Sequence, residues 1–151
     1  MFNFMWAEWK SVFLEKTREK RMAGYSGTPL PKKLGIKPGH RVLVLGAPEG
    51  FALDVDGVSL RTTARGPADV IVSFHDRRAE LARRMPKLRS LMEPAAGLWI
   101  AWPKRSSGVA TDLTEDVVRE LALANVLVDN KVCAIDETWS GLRLVIRLRD
   151  R

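Results

Sequence analysis

Arg41-Val42-Leu43-Val44-Leu45 carries no polar side chain after its first residue, is led in by Lys37-Pro38-Gly39-His40, and runs into Gly46-Ala47-Pro48-Glu49-Gly50. A run that is apolar on both faces, set between a turn and a glycine-bounded loop, reads as a fully buried strand. Such strands belong to parallel sheets covered on both sides. A nucleotide-type α/β fold begins in this way. The loop has glycines at its ends and none between them. It therefore lacks the middle glycine with which a dinucleotide or S-adenosylmethionine (SAM) fingerprint lets a phosphate or cofactor approach the backbone.

The remaining chain fits the same fold. Short apolar runs predict strands over 58–60, 69–74 and 98–102, the last closed by Pro103. Leu81, Met85, Leu88 and Met92 recur at helical spacing over 77–92, where Pro86 is expected to kink or split the helix. The segment 94–97 reads as a turn, and 103–112 as a long polar loop. A second helix follows, capped by Thr114 and stapled by Leu113 and Val118, with Glu115 and Asp116 at its positive end and Val117, Leu121 and Ala124 facing inward. Runs over 126–135 and 142–148 are close enough to form an antiparallel hairpin. Only 18 residues separate Gly50 from Asp69, too few for a full helix–strand–helix segment. The expected architecture is a compact Rossmann-like three-layer sandwich. Its sheet is mostly parallel with an antiparallel C-terminal hairpin, like a methyltransferase that has lost parts.

The 151 residues suffice for one domain over 22–151, preceded by a separate piece over 1–21. In that piece Phe2, Met5, Trp6, Trp9, Val12 and Phe13 give one apolar helical face. Three readings stand: a helix docking on a membrane surface or partner, a helix packed on its own domain, or an over-called start with translation beginning at Met22. Residues 22–40 are a Gly/Pro-rich lead-in with a short helical turn over 30–34.

The net charge of +7 and pI near 10.0 invite a nucleic-acid reading, but the distribution opposes it. Residues 1–41 hold nine Lys/Arg and three Asp/Glu, whereas the rest holds sixteen against fifteen. The body is nearly neutral and lacks the basic-aromatic pattern of a single-strand groove. Membrane association is likewise disfavoured outside residues 1–21, because no run approaches the ~18 apolar residues of a spanning helix. The single cysteine, Cys133, allows no internal disulfide and fits a reducing, cytoplasmic setting; it reads as a packed core thiol.

Several uncommon segments occur in order: Ala23-Gly24-Tyr25-Ser26-Gly27-Thr28-Pro29-Leu30, Lys33-Leu34-Gly35-Ile36-Lys37-Pro38-Gly39, Trp102-Pro103-Lys104, Thr111 through Arg119, Val128-Asp129-Asn130-Lys131-Val132-Cys133, and Asp136 through Leu142. Together they resemble a bacterial domain-of-unknown-function family numbered 3052, over Met22 to about Arg149. The resemblance implies a small cytoplasmic bacterial protein and brings no activity and no catalytic residues. Residues 1–21 fall outside it.

In an open α/β sheet, ligands sit beyond the carboxyl ends of the strands. The loops expected to converge there are 46–50, 74–77 and 103–108. In the first, Gly46, Glu49 and Gly50 are candidate ligand residues. Pro48 removes a backbone donor, and Arg61 stands where an acidic residue would hold ribose hydroxyls. Lys104, Arg105, Ser106, Ser107 and Gly108 combine cations, hydroxyls and a glycine suited to an anion, against the alternative of a solvated loop. His75 suits acid–base work or, beside Asp76, a turn or capping role. His40 falls at the wrong edge for a role. Asp136, Glu137 and Trp139 suit a recognition surface, unless Trp139 packs back on the domain. No spacing suits a metal; Asp54 and Asp56 alone make no calcium loop.

The leading expectation is a non-catalytic small-ligand-binding or regulatory module without a cofactor, its partner a small anion or a protein. The alternative is a SAM-dependent methyltransferase with an atypical loop. A third is a nucleic-acid or membrane-surface adaptor acting through the basic N-terminus.

Overall fold

The computed structural model describes residues 28–151; the helix expected over 1–21 lies outside them. One sheet contains β1 (Arg41–Leu45), β2 (Ser59–Arg61), β3 (Ala68–Phe74), β4 (Met92–Pro103), β5 (Val128–Ala134) and β6 (Trp139–Val145), in the order β2-β1-β3-β4-β6-β5. β1 pairs in parallel with β2 and β3, and β3 with β4. β6 is antiparallel to both β4 and β5, so it alone among these strands runs against the others. The mostly parallel Rossmann-like sheet with its antiparallel C-terminal hairpin is the observed architecture.

Alternation along the strands divides the core. Leu43, Leu45, Ile71, Leu98, Ile100, Leu142 and Leu144 point to one face, where α2 (Arg78–Ser90) supplies Leu81, Met85 and Leu88, and α3 (Glu115–Ala124) supplies Val118 and Ala122. Val42, Val44, Val70, Val72, Phe74, Trp99 and Ala101 point to the other. There the covering layer is the short α1 (Leu30–Lys33), the lead-in carrying Leu34 and Ile36, and the loop carrying Leu53. Trp99 is 0% exposed and its indole N–H donates to the Leu34 carbonyl at 3.0 Å, tying lead-in to sheet.

Several local expectations are corrected. Pro86 does not split α2, which is continuous from Arg78 to Ser90. Pro86 and Ala82 are both exposed, so water can serve the carbonyl left without a donor. The segment 94–97 is no turn but part of β4. The pairs Ala68↔Met92 and Val70↔Gly97 leave extra β4 residues bulged out of the ladder. The inner face of α3 is rotated by one residue: Val118 and Ala122 are buried, Val117 and Leu121 half-buried, and Ala124 exposed. Strand β6 starts at Trp139, three residues earlier than expected, and Leu148–Asp150 is a 3₁₀ turn. The Thr114 cap is present, its hydroxyl accepting from the Val117 N–H at 3.2 Å.

Candidate functional site

The carboxyl ends of β1, β3 and β4 lie on one edge, as the parallel register requires. Gly46 leaves β1 with φ +66°, and a Cβ there would stand 3.1 Å from the Phe74 carbonyl, so glycine is needed for backbone approach. Gly50 has φ +85° with nothing within 4 Å of an added Cβ. Glu49 is exposed between them. No helix follows this loop; the next regular element is β2. Behind it stands an aromatic wall. Phe74 meets Phe51 edge-on at 4.9 Å and Trp139 at 5.1 Å between ring centroids. Trp139 thus packs on the domain.

His75 is 5% exposed, with Nε2 2.7 Å from the Ser73 hydroxyl and Nδ1 2.5 Å from Glu80 Oε1. Burial pushes its pKa down, while the Glu80 carboxylate pushes it up, and the net direction is down. A neutral ring donating from Nδ1 to Glu80 and accepting from Ser73 satisfies every contact. The atoms match a Ser-His-Glu relay. Ser73, however, is 1% exposed within β3, beyond the reach of a substrate. The array ties β3 to the first turn of α2.

The loop after β4 is also engaged with the protein itself. The Ser107 hydroxyl donates to the Lys104 carbonyl at 2.6 Å and accepts from the Val109 N–H at 3.2 Å. The Lys104 N–H donates to the Thr138 carbonyl at 2.7 Å. Gly108 ends the turn with φ +76°, leaving Arg105 and Ser106 exposed. Further along, the Asp112 carboxylate accepts from the Arg78 N–H at 2.7 Å and so caps α2, whose N-cap residue Arg77 makes no side-chain cap bond. The Thr111 hydroxyl donates to the Asp76 carbonyl at 2.6 Å. Sequence reasoning missed this clamp because its partners lie 34 and 35 residues apart. Asp136 accepts from the Thr138 and Trp139 N–H groups at 2.8 Å each, an Asx-type turn that occupies its carboxylate; Glu137 beside it is exposed.

The three loops therefore share one edge of the sheet. Gly46, Glu49 and Gly50 remain open at the edge, with Arg105 and Ser106 on a neighbouring loop, whereas His75, Ser107, Asp136 and Trp139 are committed to the fold. Cys133 is half-buried in β5, its thiol pKa raised by burial. Among the described residues, no cluster of three or more His, Cys, Asp or Glu side chains is placed to hold a metal ion, and no helix is long and apolar enough to cross a membrane.

A cavity of about 510 Å³ lies at the opposite edge, lined by residues including Lys33, His40, Asp69 and Arg143. At that edge Asp69 accepts from the Arg41 N–H at 2.7 Å and its Nε at 3.2 Å, and Arg41 also reaches Glu93 at 3.4 Å. His40 Nδ1 accepts from the Lys37 N–H at 3.1 Å.

No protein-family model and no curated protein sequence matches the chain. Solved structures do. A SAM dependent methyltransferase from Aquifex aeolicus superposes with a TM-score of 0.57 at 17% identity, over 77% of this chain and 87% of that one. Magnesium protoporphyrin IX methyltransferase from Synechocystis PCC 6803, with bound SAM, gives 0.53 at 15% identity, over 73% and 71% of the two chains. A ribosomal protein L11 methylase from Lactobacillus delbrueckii subsp. bulgaricus gives 0.52 at 13% identity, over 78% and 75%. At such identities the likeness establishes the fold: this chain is built as a methyltransferase-like Rossmann sheet.

Proposed function

We propose that the protein is a SAM-dependent methyltransferase that seats its cofactor at the carboxyl edge, over the loop 46–50. The observation that carries this reading is the pair of left-handed glycines on that loop. Gly46 allows close backbone contact with the end of β3, and Gly50 leaves open space beside the exposed carboxylate of Glu49. These residues fit a cationic cofactor of that kind: the glycine backbone would hold its amino-acid portion, and Glu49 would complement its positive charge. The cofactor, when bound, supplies an electrophilic methyl group on sulfur. This chain's residues bind and orient it, and the wall of Phe51, Phe74 and Trp139 keeps water from the sheet side of the loop. The fold shared with a solved methyltransferase structure that has bound SAM supports the reading. Membership of family 3052 belongs to this proposal and adds no activity of its own.

The absence of a helix after the loop favours a second reading, a non-catalytic module for a small ligand. Without that helix there is no dipole and no ladder of free N–H groups above Gly46. Calorimetric titration with SAM decides between the two. Methyltransferase function expects binding in the micromolar range, lost in Gly46→Arg and weakened in Glu49→Gln, an exposed site whose change leaves the fold intact. Absence of heat from folded protein puts the second reading ahead.

A further inference from the structure

The amino edge holds an arrangement that the carboxyl-edge function leaves unused. Register sets Lys131 of β5 directly across from Arg143 of β6. Like charges facing one another across a ladder are destabilising. Arg143 is half-buried, and burial together with the charge of Arg151 acts against its cationic form. Among the described residues no carboxylate pairs with it. The nearby acids are already engaged, Asp69 and Glu93 both by Arg41.

The backbone leaves room for that guanidinium. An added Cβ on Gly97 would stand 2.5 Å from Arg143 Nε and 2.8 Å from Nη2, so the glycine leaves room for the guanidinium to lie over β4, where a larger residue would push it aside. Two ladder irregularities border the same cavity. The β4 excursion contributes Glu93, Ala95 and Ala96, and the β5 register shift between Asp129 and Lys131 contributes Asn130. Bulges of this kind re-aim side chains. Lys33 and Lys37 from the lead-in complete a cationic wall, with Lys131 fixed by donating to the Lys33 carbonyl at 3.1 Å.

We infer that this cavity of about 510 Å³ is a second ligand site, for a small molecule bearing a phosphate or pyrophosphate group held by Arg143 and the lysines around it. The planar guanidinium fork matches two oxyanion oxygens at once, and the ammonium groups add point charges. A volume of this size admits a ligand of roughly mononucleotide dimensions. The anion removes the conflict between Lys131 and Arg143. The site is independent of SAM binding at the other edge.

Pyrophosphate is the probe, titrated into the full chain and followed through the Arg143 side-chain Nε–Hε resonance, which is identified by its loss in Arg143→Gln. Binding is expected to shift that resonance and raise Tm. Affinity is expected to fall about tenfold or more in Arg143→Gln and to fall also in Lys131→Gln. Lys87→Gln, which removes an equal charge from the exposed face of α2, should leave it unchanged. Near-UV dichroism of the packed tryptophans confirms that each variant is folded. An unmoved Arg143 resonance at millimolar pyrophosphate overturns the proposal. So does affinity retained in folded Arg143→Gln, or affinity lost instead in Arg105→Gln. SAM binding should be the same in wild type and Arg143→Gln, so failure of either site is read separately.

Discussion

The two edges of the sheet satisfy their polar groups differently. At the carboxyl edge the chain supplies its own partners: Asp112 caps α2, Thr111 holds the Asp76 carbonyl, Ser107 closes its turn, and His75 sits between Ser73 and Glu80. What remains open there is the short loop 46–50. The amino edge also has a closed network, around Arg41 and Asp69, but next to it stands Arg143, a half-buried cation opposite another cation. The same edge carries Val126 at φ +60°, a left-handed conformation that a β-branched residue adopts only under strain. Conventional placement of ligands on an open α/β sheet points to the first edge. Unpaired charge and backbone strain, which persist only where something compensates for them, gather at the second.

Removing Trp99 should break the amino edge most completely. Trp99→Ala empties the centre of the loop-covered face and frees the Leu34 carbonyl, so the lead-in bearing Lys33 and Lys37 loses its anchor. We expect a loss of about 3–5 kcal/mol in denaturant unfolding. A loss below about 1 kcal/mol would show that the lead-in is held by other contacts.

Acid should weaken the fold through His75 at the carboxyl edge. His75 has a folded pKa below 6.5, so between those two values the unfolded chain holds a proton that the native chain does not. Stability is therefore complete above about pH 6.5 and falls as pH drops below it, by at most about 1.4 kcal/mol per pH unit for this one group. His40, whose pKa burial also lowers, acts in the same direction. His75→Gln should flatten the fall in Tm between pH 7.5 and 5. An unchanged slope would assign it elsewhere.

Asp112→Ala tests the clamp. It leaves the first N–H of α2 without its acceptor and should cost about 1 kcal/mol, with faster amide exchange at Arg78. Unaltered exchange there would mean that water replaces the carboxylate without loss.

Val126→Gly works in the opposite direction. The Leu127 N–H donates to the Ala122 carbonyl and the Val126 N–H to the Leu123 carbonyl, a Schellman end to α3 in which glycine is the favoured residue. The variant should gain about 1 kcal/mol by relieving the left-handed strain, less the extra entropy of the unfolded chain. A destabilised variant would mean that the exposed valine makes a contact worth more than its strain.

Elements whose signals lie within a few neighbouring residues were legible. The apolar run 42–45, the Leu81-Met85-Leu88 stripe and the Thr114 cap each depend on local spacing, and each stands where its pattern placed it. The placing of three loops at one edge followed from strand order alone. The turn expected over 94–97 was wrong because Pro94 and Gly97 signal a chain reversal locally, while pairing of Met92 and Gly97 with β3 on either side carries the bulged residues between them along in the strand.

The sequence by itself determined the class of sheet, because burial on both faces demands unbroken apolar runs and such runs are visible in one dimension. Tertiary structure decided what each polar side chain does. Ser73 and His75 are two residues apart, but only α2 brings Glu80 onto the buried ring to complete the pair of contacts. Arg143 and Gly97 look unrelated until antiparallel pairing of β4 with β6 lays one over the other. Pairing register is a property of the whole sheet, and the charge conflict between Lys131 and Arg143 exists only once that register is set.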